Sequence, residues 1–501
     1  MRKLLLLLLL LPLCGMESGF PQFGMPVSYT SGPPAPVLFQ HLAFSTNPAG
    51  IGVAGHNYVF ATEPLPPNTV AVMAVTALHG KTITVSDTLA GTWSAAVCTA
   101  DAGTNNYKTE LFVEPLGATG GADTITVGVG TSNTNPVTYT VSFFENINTS
   151  APTGGSLCVD NISPNSSGLV SPGSFTPTNN NANGGNVIWN YNGIAGNAIG
   201  NASNWTPASG FSLLNGDVLW TSDQGFAQAS QYELQTTAAS VTPSITATGE
   251  NASTDGFNSV SVALKVANNS AVAPTTLHVE SITHESFNAF ASPGTMVAQW
   301  PTTGNLRVVE LPWPGGCPEV TGPCLSSASF SDGCTAYVLG GTGGSNDDAD
   351  IIYAQNCSAC PSCTMSLVFT GSGTIGQGSF RMYDVQNAAA SSYQNSAGGS
   401  NTSCTTTTVD DAPTFTPTGA SSGIAFAVLG IEDAVMTALA SGAPTGAIDD
   451  LTHYTGETSA DMMENADGDT HYYYSSTAAQ NWNWTISASP AQCYWIAAAF
   501  N

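Results

Sequence analysis

Three cysteines, each two residues from the next, stand in CSACPSC (357–363) as Cys357, Cys360 and Cys363. Thiolates at this spacing can hold a metal or close disulfides. No histidine lies near Cys357, so a metal would need a fourth ligand from elsewhere in the chain. The acidic stretch IDDLTHYTGETSADMMENADGDTHYYYS (448–475) is the second place where residue types could do chemistry. Within it, NADGD groups Asn465, Asp467 and Asp469 around Gly468 in what reads as a turn, and several oxygens on one turn suit a hard cation such as calcium. The regular spacing and distal glutamate of an EF-hand are missing. GSNDDAD (344–350), with Asp347, Asp348 and Asp350, is a weaker candidate of the same kind. GASSG (419–423) matches G-x-S-x-G, but IAFAVLGI follows it and reads as a buried strand, where a nucleophile elbow needs a helix; Ser421 is expected in a turn. A glycosidase needs two acids facing one cleft, and no strand-like segment carries acids on alternate positions. The expectation is therefore no catalytic residue, and no cofactor unless calcium binds at these acids.

The compartment decides how the cysteines are read. Arg2 and Lys3 precede an unbroken leucine run, Leu4 to Leu11, and then small residues, the layout of an export leader over 1–18. Leu13 occupies the place where a lipid-attachment signal at Cys14 wants a small residue. No later stretch approaches the roughly 18 apolar residues of a membrane helix, so no transmembrane segment is expected. Cys98, Cys158, Cys317, Cys324, Cys334, Cys357, Cys360, Cys363, Cys404 and Cys493 remain beyond the leader, an even number that favours disulfides in an exported chain. CSACPSC is then expected to supply one end each of three different disulfides.

Composition narrows the class further. Only 8% of the 501 residues are charged, with 34 Asp and Glu against seven Lys and Arg, for a formal net charge of −27. Such a surface repels nucleic acid, so no nucleic-acid partner is expected. The 42% of hydrophobic residues is enough for real cores.

Positioning these residues falls to strands. NTVAVMAV (68–75), KTITVSDT (81–88), ADTITVGVG (122–130), VTYTVSFF (137–144) and SVSVALK (259–265) alternate with period two between Gly, Pro, Asn and Ser clusters. The chain also repeats itself at a spacing near 240. SFTPT (174–178) returns as TFTPT (414–418), Ser86-Asp87 as Ser331-Asp332, SFFENI (142–147) as FRMYDV (380–385), and SITAT (244–248) as TISAS (485–489). The fold expected is all-β: two tandem antiparallel β-sandwich, jelly-roll-like domains over 34–268 and 278–501, after the leader, with most cysteines in the second.

TVSDTLAGTW (84–93), ELFVEPLGATGGADTITVGV (110–129), YTVSFFENINTSAPTGG (139–155) and the closing SVSVALK resemble a recurring secreted β-sandwich repeat of bacterial cell-surface and extracellular proteins. That family shows an SDxxGNxW/Y turn, a YAKNI…GGxxTVTV hairpin and a VAVALK strand. The second half keeps the hairpin as DIIYAQNCSACPSCTMSLVF (350–369). The resemblance carries no catalytic residues over; it implies a secreted or surface location and a non-catalytic structural or adhesive role. Two further readings stay open: a calcium-assisted pair of carbohydrate-binding modules, and a glycoside hydrolase with an unrecognised carboxylate pair. The partners these imply are polysaccharide, cell-envelope components or further copies of the chain. Among the aromatics, Trp482 and Trp484 share the apolar face of NWNWTISAS and are expected in the core, whereas HYYYSS (471–476) should turn at least one tyrosine toward solvent. NNNANGGNVIWNYNGIAGNAIGNASNW (179–205) reads as loop around a strand.

Overall fold

The described residues of the computed structural model are 35–45, 57–101, 103, 107–130, 137–178, 185–194, 204–216, 228–248, 256–267, 274–287, 290–312, 325–340, 349–375, 378–401, 408–409, 415–431, 436–439, 447–449, 453–454, 467–480, 482, 484–486 and 493–501. Among them there is no helix; the fold is all-β, as the alternation implies. The expected leader, 1–18, lies outside the described residues, and Pro33–Asn501 form one compact unit.

Its centre is a ten-stranded sheet in which one pairing joins the two sequence halves. Val37–Ser45 runs parallel to His278–Phe287, with His41 opposite Ser281 and Phe44 opposite His284, a constant offset of 240. Outward from Val37–Ser45 come Thr138–Glu145, Val70–Leu78, Tyr107–Pro115 and Cys98–Ala100. Outward from His278–Phe287 come Gly378–Gln386, Leu306–Pro312, Ala349–Gln355 and Tyr337–Gly340, the same order from the repeated segments.

Most of the remaining strands cover both faces, and the halves divide that work crosswise. Ile83–Asp87, Thr124–Val129 and Asn57–Ala61 form a trio on one face and continue into His453–Tyr454 of the second half. The corresponding trio, Leu325–Phe330, Thr364–Ile375 and Phe290–Gln299, packs on the opposite face and continues into Ser212–Gly216 of the first half. Five strands of each half, ending in Thr153–Ile162 and Tyr393–Asn401, complete the layers. A two-fold axis running along the central strands would relate the halves in this way. Where two tandem sandwiches were expected, the strands of 34–268 and 278–501 interleave through shared sheets.

A sheet covered on both faces must be apolar on both. Val70–Leu78 meets that demand. Val70, Val72 and Ala74 enter one core with Val187, Trp189 and Val262, while Ala71, Met73 and Val75 enter another with Tyr58, Phe60 and Val127. Trp482 and Trp484 are buried, their rings stacked 6.5 Å apart, as the alternation of NWNWTISAS required. The asparagine-rich segment holds its expected strand at its middle. Asn186–Ile194 is a core strand, and Asn190 and Asn192 are fully buried there, Asn190 donating to Ser259 and Ser261 Oγ at 3.0 Å each.

The turn motif is structural. Asp87 accepts from the backbone of Ala90 and Gly91 and from Trp93 Nε1. Its repeat, Asp332, instead receives Arg307 in a fork, Nη1 to Oδ1 at 3.0 Å and Nη2 to Oδ2 at 2.7 Å. Arg307 is fully buried, lies 5.0 Å from the Phe330 ring and donates to Ser358 O at 3.0 Å. That guanidinium, chiefly through its hydrogen bonds, holds the Asp332 carboxyl below the usual range.

CSACPSC is corrected in one respect. Cys357 closes on Cys334, but Cys360 and Cys363 close on each other, so the motif serves two disulfides and not three. Two residues suffice to bring the latter pair's Cα atoms to 5.3 Å because the chain turns back at Pro361-Ser362. Cys98 pairs with Cys158. Cys317, Cys324 and Cys404 lie outside the described residues, and Cys493 begins the Cys493–Phe500 strand.

Removing the partner of a buried charge such as Arg307 strands that charge. Asp332→Ala is therefore expected to lower the unfolding free energy by about 3 kcal/mol. Arg307→Met, which takes the buried charge away, should lower it by clearly less. Guanidinium denaturation of the two variants beside the wild type checks the order.

Candidate functional site

The most perturbed acids gather beside the strand pair that joins the halves. Along His278–Phe287, Val279 stands opposite Val385 and Ser281 opposite Asp384, so Glu280 is the extra residue of a β-bulge. A bulge leaves its extra residue outside the ladder and re-aims the side chain. Glu280 thereby meets Asp384 and the turn at Thr303-Gly304. The Thr303 hydroxyl contacts both carboxylates, Glu280 Oε2 and, at 3.2 Å, Asp384 Oδ2. Gln386 Nε2 donates to the same Glu280 oxygen. Asp384 also accepts from the backbone N–H groups of Thr303 at 2.7 Å and Gly304 at 3.0 Å.

Burial, and then the neighbouring Asp384, pushes the Glu280 carboxyl up to about 7, against the hydrogen bonds from Thr303 and Gln386. Burial also raises Asp384, against those backbone N–H groups and Arg307. The pair borders a cavity of about 90 Å³ that Thr302, Tyr232, Pro361 and His41 also line. His41 is fully buried, with Nδ1 2.8 Å from Ser142 Oγ and Nε2 3.2 Å from Asn215 Oδ1. Burial lowers its pKa to about 4, the Asn215 hydrogen bond opposing, so the ring is neutral at pH 7.

The first half carries the matching bulge at Phe39, between Leu38 opposite Phe144 and Gln40 opposite Phe143, and Glu63 N donates to Gln40 Oε1 at 3.2 Å. Here the acid sits on the loop: Glu63 Oε1 receives the Tyr473 hydroxyl at 2.7 Å and lies 3.1 Å from His471 Nε2. Glu63, Glu145, His278 and Tyr473 line an open cleft of about 540 Å³.

A second open cleft, about 530 Å³, runs between Ile83–Asp87 and Tyr107–Pro115. Lys81 and Lys108 line it, two of the chain's seven Lys and Arg, with Trp93 beside them. Lys108 contacts Glu110, and His79 Nδ1 lies 2.6 Å from Asp101.

Volume separates what these places can do. Ligand pockets run from about 300 to 1,000 Å³, which both clefts meet; the carboxylate cavity fits an ion or a few waters and not a sugar ring.

Of the acids singled out in the sequence, Asp467 and Asp469 stand in the Asp467–Tyr474 strand, opposite Gly430 and Val428. That backbone is paired strand where a turn was expected. Asn465, Asp347 and Asp348 lie outside the described residues, and Asp350 is buried in the Ala349–Gln355 strand of the central sheet. Ser421 is exposed in a bend before the Gly423–Ile431 strand. Glu280, Asp384 and Glu63 were not singled out by the sequence: Glu280 needed the bulge, and FRMYDV, which holds Asp384, was read as part of the repeat.

No known protein family matches the chain, and no curated protein matches it. Among solved structures, a xanthan lyase from Paenibacillus is similar at 10% identity, over 93% of this chain and 51% of the lyase's own, with a TM-score of 0.20. The chain thus spans about half the length of that lyase. A superposition that loose says nothing about shared chemistry.

The two cavity groups give opposite pH slopes. An unfolded chain protonates His41 near 6.5, but the folded one refuses the proton until about 4, so its stabilisation is complete above pH 6.5 and lost as pH falls to 4. Folded Glu280 keeps its proton to about 7, while the unfolded chain releases it near 4.5, so its stabilisation is complete below 4.5 and lost as pH rises to 7. Each is worth about 3 kcal/mol. His41→Gln should leave stability falling between pH 4.5 and 7, and Glu280→Gln should leave it rising between 4 and 6.5. Denaturant midpoints across that range, compared with the flatter wild type, check both.

Proposed function

We propose that the chain is an exported extracellular or cell-surface protein with a non-catalytic structural or adhesive role, built by duplication of one jelly-roll-like sandwich unit. The observation that carries this reading is the open end of the central sheet. Among the described residues, Tyr337–Gly340 pairs with Ala349–Gln355 alone and presents Tyr337, 45% exposed, and Val338, 39% exposed, to solvent. Tyr337 stacks on Tyr353, and Tyr353 on Tyr393, at 5.0 Å each. An unpaired, apolar strand edge is a template for a strand from another molecule. The opposite end of the sheet differs: Cys98–Ala100 is tied through Cys98 to Cys158 of the neighbouring layer. The export leader, the disulfides and a surface poor in charge agree with an extracellular life.

A second reading, carbohydrate binding, draws support from the cleft at Trp93. Lys81 and Lys108 share that saccharide-sized cleft with Asp101 and Glu110, charged groups that can hold the hydroxyls and carboxylates of a sugar polymer. For the glycoside hydrolase reading, the close carboxylate pair borders a cavity too small for the substrate.

Self-association decides between them. Sedimentation velocity over a hundredfold concentration range should show assembly of the wild type and a monomer for Val338→Lys, a charged edge residue that opposes strand pairing. A wild type that stays monomeric and does not co-sediment with cell envelopes sinks the adhesive reading. Retention on uronic-acid polymers, lost in Lys81→Glu, would favour the second.

A further inference from the structure

We propose that the cavity beside the joining strands is a divalent-cation site, in which the carboxylates of Glu280 and Asp384 and the hydroxyl of Thr303 hold a calcium-sized ion. This goes beyond the adhesive role and does not depend on it. It is also separate from the acids of 465–469 and 347–350.

Four observations converge. One hydroxyl, Thr303 Oγ1, touches both carboxylates, so three hard oxygen donors already face one another. Gln386 adds a fourth when its amide is turned to present oxygen, the two orientations being nearly indistinguishable in shape. Thr302, 1% exposed, lines the same cavity, and its hydroxyl has no hydrogen-bond partner. A buried hydroxyl left unpaired costs about 1–3 kcal/mol, and an ion or its bound water would satisfy it. Charge points the same way. No lysine or arginine lines the cavity, and its only basic side chain, His41, is held neutral by burial. Arg307 acts on Asp384 from outside, with both Nη atoms committed to Asp332 and Ser358. Two adjacent carboxylates repel each other, and a divalent ion between them removes that cost. Size agrees, since about 90 Å³ accommodates an ion with one to three waters, and calcium takes six to eight oxygens from carboxylates, hydroxyls, amides and water.

The site also has a fixed wall. Thr302 exchanges backbone hydrogen bonds with Cys360, N to O at 3.0 Å and O from N at 2.7 Å, and Pro361 between Cys360 and Cys363 lines the cavity. The disulfide turn of CSACPSC thus holds Thr302 in place.

The test is calcium titration of the chelator-stripped full chain at pH 7.5 in 150 mM salt, read by isothermal calorimetry and by the unfolding midpoint. One saturable site with a Kd below 1 mM and a midpoint raised by several degrees is expected. Glu280→Gln, Asp384→Asn and Thr303→Val should each weaken that site at least tenfold, while Asp160→Asn on the outer strand leaves it unchanged. Cooperative unfolding at pH 5 establishes that each variant folds. The proposal fails if calcium, magnesium and manganese leave the wild-type midpoint unmoved. It fails equally if Glu280→Gln keeps full calcium affinity; the pair would then be bridged by a proton alone.

Discussion

The parallel pairing of Val37–Ser45 with His278–Phe287 is the constraint from which the rest of the structure follows. Two copies of one unit, set side by side through equivalent strands, must turn opposite faces to the same side. Each face of the central sheet then receives three strands from one copy and a larger set from the other, five on one face and six on the other. The trio cannot cover its face alone, so it borrows an edge across the axis, at Tyr58 with Tyr454 and at Gly216 with Gln299. The double burial of Val70–Leu78, the crosswise sheets and the cavity beside the axis are consequences of that one choice.

A chain this poor in charge has to spend its polarity differently from an ordinary globular protein. Much of its Ser, Thr and Asn lies between layers. Tyr191 reaches Thr76 and Thr138 Oγ1 at 3.0 and 2.8 Å, Trp189 Nε1 donates to Ser142 Oγ at 2.9 Å, and Asn192 donates to Asn190 Oδ1 at 2.7 Å. Neutral hydroxyls and amides can be satisfied inside a β core because each meets the next across a few ångströms. The few buried ions are treated more strictly: Arg307 is clamped by a fork and a carbonyl.

Strand identity was legible in the sequence because period-two alternation records the two faces of a strand directly. The spacing of 240 was legible as well, and it reappears as the register of the joining pair. How the copies interlock was not, since a repeat fixes what each copy contains but not which copy supplies its neighbours. Glu280 sits in LHVESITHES, where simple alternation makes it one more position on a face; only the extra residue against Val385 and Asp384 turns it toward Thr303. The disulfide partners of CSACPSC were hidden for a related reason. Spacing alone does not show that the chain reverses at Pro361, which lets Cys360 close on Cys363.

Interleaving also sets an order of events for a chain made from its N-terminus onward. Asn57–Ala61 finds its last neighbour at Tyr454, and Val37–Ser45 must wait for His278–Phe287, so the earliest segments to emerge complete their layers only when almost all of the chain is present. Closing such distant pairs is slow, because loop entropy is spent before the contacts reward it. In the interval the first half carries unfinished sheets with apolar faces and open edges. The local Asp87 turn and the short Cys360–Cys363 ring are the elements able to form early and hold register meanwhile. A duplicated protein of this kind thus gains a single interlocked body and gives up the freedom of its halves to fold one at a time.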